Sequence, residues 1–473
     1  MKKIIASLLL LVMAVSLFAG CGGSSGDKVI RIWVGEESVE FYRTVCDEYL
    51  AAHSDFGYTI EVKGMDTGTI AGTISNDPKA AADIYTVAHD NIGKLASTQC
   101  AKPIGDEALI AQVLADNPES FQNVIYSTLN GQKYLYGVPY ISQALFLYYN
   151  KALVTEEQAQ SFEGLREAAK AAGTKAVTVV GDDGYNMSFA LLATKVSDHS
   201  TTVKIYEGAA SDGSSKGTSN CQGDDTVAIF RWLQEYAADP NGFKWASPDG
   251  WDADLDKSNN GVLAVIGGAW HYNTAKAALG ETNLGIALIP TFTLTEASVA
   301  GLTGVAAGDV YRGGTFADCK CFMINANSAK EKYAKEQDLI KFMSSKEIQN
   351  RSYLECLNVP AYVGAADYIA KCYAEGKVTE SQYNLAAKQV AMAEWGIPQP
   401  FITGTLNTYF YSKNAPAVFR AIIDNTAYPT TGDVIIPDTT TIEGIRKALY
   451  LIEYLWMHGT NPKDFPASYP TKA

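Results

Sequence analysis

The chain has 473 residues with a formal charge of −14 and a pI near 4.9, and 47% of it is hydrophobic. That length exceeds what one ordinary core organises, so two domains are the default expectation. A surface this acidic repels phosphate backbones and anionic headgroups, which argues against nucleic acid as a partner and against an anionic ligand outside a local basic pocket.

The first element in chain order is MKKIIASLLLLVMAVSLFAGCGGSSGD. A basic start, an apolar run from Ile4 to Phe18 and small residues before Cys21 form a secretory signal rather than a membrane span. The pattern Ala19-Gly20-Cys21 resembles the lipobox of bacterial lipoproteins, so residues 1–20 are expected to be cut away. Cys21 would then carry the lipid, and residues 21–28 form a Gly/Ser tether. No later stretch is long and apolar enough to span a bilayer. The seven remaining cysteines are odd in number and match no zinc spacing, so most are expected to be small buried hydrophobes.

VIRIWV, Val29 to Val34, reads as a strand, and Ser38 can cap a following helix that carries Val39, Tyr42, Cys46, Tyr49 and Leu50 on one face. YTIEVKG is an alternating strand, and ADIYTVA a continuous, buried one. Strands separated by helical stretches predict a parallel sheet whose ligand crevice lies at the carboxyl ends of the strands. Glu36, Glu37, Asp90 and Asn91 all follow strands in this way. Further on, AVTVVGDDGYNMSFALLA and NGVLAVIGGAWHYNTAKAALG each place an apolar strand before a glycine turn and a polar and aromatic cluster. Gly267 and Gly268 are expected to let the backbone approach a ligand, with Trp270 facing the crevice.

Enzyme signatures are missing: there is no Walker A sequence, no GxGxxG, and no HExxH among the five histidines. GxSxG occurs at Gly22–Gly26 and Gly213–Gly217, both in polar low-complexity stretches rather than at a strand-to-helix turn. DADLD, Asp252 to Asp256, lacks the glycine and the bidentate Glu of a calcium loop, and a solvated helix entry is the expected reading. No metal, cofactor or catalytic residue is therefore assigned. Glu36, Glu37, Asp90 and Asp183 could supply a glycosidase pair, which requires a separation that sequence does not give. Flat rings against pyranose C–H faces, with carboxylates and amides on the hydroxyls, fit the 27 Tyr and 7 Trp, and a neutral sugar tolerates an acidic cleft.

The stretches IWVGEE, ADIYTVAHDNIGKLA, GVPYISQALFLYYNKALV, GDDGYNMSFALLA, NGVLAVIGGAWHYN, GIALIPTF, CFMINANSAKEKYAKEQDLIKFMSSKEIQ and GIPQP occur in an order that resembles the maltose/maltodextrin-binding proteins, the sugar-binding components of ABC importers. The resemblance implies an α/β fold of two lobes, each a mostly parallel sheet flanked by helices, that close on sugar about crossing segments near Ile141–Leu145, Leu288–Phe292 and Asn350. Lobe I would comprise 29–141 and 293–350, and lobe II 146–288 and 351–473. It further implies a monomer anchored outside the cytoplasmic membrane, an oligosaccharide ligand, and ABC permease and ATPase partners. The family's ligand-binding positions fall on Glu36, Glu37, Asp90, Asn91 and Gln143 in the first lobe and on Asp183, Tyr185 and Trp270 in the second. His89 would belong to the scaffold. The family's C-terminal aromatic pair falls on Ala415 and Pro416, with Tyr409 and Tyr411 just before it as the expected substitutes. The chain departs from the family at Glu37 (Lys there), Val87 (an aromatic), Asn91 (Arg) and Gln143 (Glu).

Overall fold

A computed structural model describes residues 28–180, 184–203, 221–247, 250–256, 261–399, 414–425, 429–430, 434–435 and 438–458. In chain order the strands of its two main sheets are Val29–Gly35 (β1), Thr59–Met65 (β2), Ile84–Ala88 (β3), Ala101–Lys102 (β4), Val138–Gln143 (β5), Leu145–Asn150 (β6), Lys175–Val179 (β7), Val262–Gly268 (β8), Leu284–Ala287 (β9) and Asp318–Asn325 (β10). The first sheet runs β2-β1-β3-β10-β4, with β5 also on β10. The second runs β9-β6-β8-β7. Helices flank both, and each sheet has its own hydrophobic core.

Local chemistry explains the first sheet's order. β1 alternates, burying Ile30, Ile32 and Val34. β2 buries only Val62 and carries an exposed charge pair to β1, Glu61 with Arg31, as befits an edge strand. β3 is covered on both sides and sits inside. In the second sheet all seven residues of β8 are buried between β6 and β7. The sheets are mixed rather than mostly parallel. β1 pairs in parallel with β2 and β3, and β8 with β7, whereas β10 runs antiparallel to β3, β4 and β5, and β6 antiparallel to β8 and β9. The antiparallel strands β5, β6 and β10 adjoin the places where the chain changes lobes, so they enter against the direction set by the strand–helix–strand units.

Three local expectations change. Ser38 makes no capping bond, because the 3-10 turn Glu36–Ser38 leads directly into the helix Val39–Ala52; its hydroxyl instead accepts from Asn358 Nδ2 at 3.0 Å. That helix buries Phe41, Tyr42, Val45, Cys46 and Tyr49, a stripe rotated slightly from the expected one. Asp254 of DADLD is buried, accepting from Lys244 Nζ at 2.7 Å and from the Ser247 amide at 2.9 Å. Six of the seven described cysteines are buried, as expected of small hydrophobes, and Cys356 is partly exposed.

The second crossing also differs. β5 passes to β6 through Ser142–Leu145, with Ser142 N–H on the Val359 carbonyl at 2.8 Å and Leu145 N–H on Thr315 Oγ1 at 2.8 Å. The second crossing lies at Phe316–Cys319 instead of Leu288–Phe292. Leu294, Tyr311 and Phe316 still pack in the second core, because Thr291–Thr293 and Val310–Arg312 form a small antiparallel sheet with Thr194–Lys195 there, and Cys319 is the first residue back in the first core. In the third passage Ile348 and Ala361 belong to the first core, Tyr353 and Val359 to the second.

One buried ion pair ties the first lobe together. Lys332 Nζ stands 3.1 and 3.2 Å from the two Asp83 carboxylate oxygens, and Oδ2 also accepts the Arg31 amide at 2.8 Å. Both side chains are largely buried. Lys332→Met leaves the carboxylate without its cation, and urea unfolding is expected to register a loss of about 3 kcal/mol. A loss below about 1 kcal/mol would place the pair in the solvent-screened class.

Candidate functional site

β1 and β3 are parallel neighbours, with Trp33 opposite Tyr85, and each ends in a single 3-10 turn: Glu36–Ser38 and His89–Asn91. Four of the expected residues therefore reach the same edge of the first sheet. Glu36 and Glu37 are exposed. Glu37 Oε1 lies 3.6 Å from Lys320 Nζ on β10, a residue paired across from Ala88. Burial holds the Lys320 ammonium below the usual lysine range, with Glu37 and Asp66 opposing it.

Asp90 is only 6% exposed, and Asn91 Nδ2 donates to its Oδ1 at 2.9 Å. Burial pushes the Asp90 carboxyl up to about 7; His89 and the Asn91 hydrogen bond lower it, Asp318 raises it. His89 is wholly buried, with Nε2 donating to the Gln399 carbonyl at 3.0 Å and Nδ1 3.8 Å from Asp318 Oδ1. Burial alone would depress the imidazole, but its neighbours Cys319, Asp318 and Asp90 outweigh this and raise it to about 10.

Asp318 opens β10 opposite Gln143, the half-buried last residue of β5. Its Oδ2 accepts from Tyr185 Oη at 3.1 Å and from Gln399 Nε2 at 2.5 Å. Burial raises its pKa, while His89, Gln399 and Tyr185 favour the anion. Tyr185, on the short helix Gly184–Met187, stacks on Phe316 at 5.4 Å between centroids and lies 6.1 Å from the Trp270 ring. Trp270 is 47% exposed, on the 3-10 turn after β8. The glycines before it serve packing. A Cβ on Gly268 would stand 2.3 Å from the Trp270 ring, and one on Gly267 would meet Val180 at 2.9 Å and His271 at 3.1 Å. The ring thus folds back over Gly268, and a ligand is not what requires glycine there.

The structure thus brings Asp90, Asn91, Gln143 and Tyr185 around Asp318, with Trp270 beside Tyr185, Glu37 joined through Lys320 and Glu36 on the same turn as Glu37. Cys21, Asp183, Tyr409 and Tyr411 lie outside the described residues. Sequence reading passed over Asp318, Lys320 and Gln399. The signal available was DCKCFMIN, in which two charges alternate along an otherwise apolar strand; alternation puts both on one face. Among the described residues no group of three His, Cys, Asp or Glu is placed to hold a metal.

The buried trio has a pH signature. His89 binds its proton more tightly when folded, so its contribution is complete below the unfolded value near pH 6.5 and is lost as pH rises toward about 10. Asp90 acts in the same sense between about pH 4 and 7, since its folded value is also raised. His89→Gln, which keeps a donor for Gln399, should flatten the decline of unfolding free energy from pH 6.5 to 10. Urea titrations across that window check it, and an unchanged slope would mean that His89 is neutral in the folded protein.

The model of the bacterial extracellular solute-binding protein family matches residues 44–367. A maltooligosaccharide ABC transporter solute-binding lipoprotein of Streptococcus pneumoniae strain R6 is 23% identical over 370 residues, 76% of this chain and 77% of that protein. Among solved structures, maltodextrin binding protein MalE1 from L. casei BL23, without ligand, superposes with a TM-score of 0.67 at 18% identity, covering 90% of this chain and 98% of that one. MalX from Streptococcus pneumoniae in complex with maltopentaose gives 0.62 at 18%, covering 90% and 99%. These neighbours share the two-lobed fold. With the family model spanning most of the chain, from the first lobe's opening helix through all three crossings into the second lobe, the protein belongs to the bacterial extracellular solute-binding proteins.

Proposed function

We propose that this solute-binding protein captures a malto-oligosaccharide in the crevice between its lobes and delivers it to an ABC permease and ATPase, working as a monomer held at the outer face of the cytoplasmic membrane through Cys21. The observation that carries the sugar reading is Trp270. A large indole left half exposed beside Tyr185, at the same junction as Asp90, Asn91 and Gln143, offers an apolar plane next to hydrogen-bonding groups. Pyranoses present those two surfaces to a binding site. Glu36 and Glu37 extend the polar side, and Asp183, Tyr409 and Tyr411 complete the proposed ligand set. The lobes comprise roughly 29–141 with the chain after Phe316, and 146–316 with the C-terminal part. The relatives' names point to the same ligand class.

Binding without turnover is the reading for these carboxylates. A glycosidase acid must be protonated and reach the scissile oxygen. The two carboxyls whose pKa burial raises, Asp90 and Asp318, lie inside the protein and are engaged by Asn91, Gln399 and Tyr185.

Incubation with labelled maltotetraose should return the sugar unchanged with saturable binding; shortened products would favour an enzyme. Trp270→Ala should weaken binding by about tenfold to 150-fold, the equivalent of roughly 1.5–3 kcal/mol for one apolar side chain, with little effect on unfolding without sugar. Calorimetry with and without maltotetraose checks it, and a destabilised protein that binds at full affinity would assign the ring to packing. Cys21→Ser should release the protein from the membrane fraction, or leave its signal uncut, in either case without attached lipid. Incorporation of labelled fatty acid is the readout.

A further inference from the structure

We infer that Asp318 is the positioning residue of the crevice: at the point where the chain passes from the second core to the first, its carboxylate holds the Tyr185 hydroxyl and so sets the Tyr185–Trp270 aromatic wall against the polar groups of the first lobe. The inference rests on the solute-binding role proposed above for the crevice. Phe316 packs in the second core and Cys319 in the first, which leaves Asp318 at the passage between them. Tyr185 is gripped twice from this one run of chain. Phe316 stacks beneath its ring at 5.4 Å and an interplanar angle of 29°, and Asp318 takes its hydroxyl at 3.1 Å. Residues 316–318 are fixed in turn by Ile397–Gln399, through Ala317 N–H on the Ile397 carbonyl at 2.8 Å and through both Gln399 bonds to Asp318.

The first lobe faces the other side of the carboxylate, with His89 Nδ1 3.8 Å from Oδ1 and Gln143 opposite in the strand pair. Asp318 thereby joins groups from both lobes in one buried cluster. A hydrogen bond to a carboxylate is among the stronger ones, and a ring fixed before the ligand arrives loses less freedom on binding. A carboxylate that served only to partner His89 would not need Tyr185, and this difference is measurable.

Tyr185→Phe removes the hydroxyl alone and leaves His89 and Gln399 on the carboxylate. Asp318→Asn keeps the shape and one acceptor but removes the charge. Each variant, and the double variant, is titrated with maltotetraose by calorimetry and unfolded in urea without sugar. Each single change should weaken binding by roughly ten- to thirtyfold, and the double variant should be no weaker than the poorer single within about twofold, since both changes break one link. Losses that multiply, or Tyr185→Phe binding at wild-type affinity, would overturn the positioning role. So would Asp318→Asn that unfolds more easily yet binds as well as the parent. If the parent protein itself takes up no maltotetraose, the sugar reading fails, and the urea cycle decides the link by itself: zero coupling between the two changes refutes it, and a clear coupling sustains it.

Discussion

A carboxylate removed from water must find donors or a cation, and Asp318 sets this constraint where the chain passes between the two cores. Its partners come from three distant stretches of chain: His89 after β3, Tyr185 after β7, and Gln399 beyond the helix Glu380–Ala393. None of these can shift far without leaving a buried charge unpaired. The neighbouring polar contacts follow the same logic, with Gln389 Nε2 on the Ser142 carbonyl at 2.6 Å and Thr315 Oγ1 accepting the Leu145 amide. The passage between lobes is therefore held by hydrogen bonds rather than by a continuous apolar core. That arrangement suits two bodies that open and close about it, since hydrogen-bonded strands bend with little loss of buried apolar area.

The two sides of the junction are chemically unlike. The first lobe presents short side chains on single turns after parallel strands, where backbone ends and carboxyl groups meet. The second presents rings. Tyr185 is clamped by Phe316 and Asp318, while Trp270 lies over Gly268 with nearly half its surface free. On the proposed sugar-binding role, a ligand that needs both kinds of contact would gain them together only when the lobes approach, and binding would shift the population toward closure. Lys320 tempers the acidic side. Its ammonium stands between Glu37 and the sheet, where burial disfavours the charge and the nearby carboxylates restore it.

Much of this was legible in the sequence because it depends on local pattern. β1, β3 and β8 follow from runs whose burial is continuous or strictly alternating, and the turns that carry Asp90 and Trp270 follow from the residues that end those runs. Ser38 has the residue type of a cap but does not act as one, because capping depends on backbone angles that the preceding 3-10 turn changes. Gly267 and Gly268 were misread because the space they leave is filled by Val180, His271 and Trp270, which no spacing rule reveals. Segment 293–316 packs with the second lobe because its strands pair with Thr194–Lys195, about a hundred residues earlier in the chain, a pairing that local pattern does not reveal.

The sequence by itself determined the α/β class and the strand ends at which polar and aromatic residues gather, since periodicity and turn chemistry act over a few residues; the two-lobed arrangement was implied by the resemblance that its ordered motifs carry. Tertiary structure alone decided that Asp318 and Lys320 stand among those groups, that Asp90 is buried under Asn91, and that the second crossing falls at Phe316–Cys319. The reason is physical: a charge inside a strand reads as an edge or a defect until the partners that neutralise it are known, and here they lie some 80 to 280 residues away along the chain.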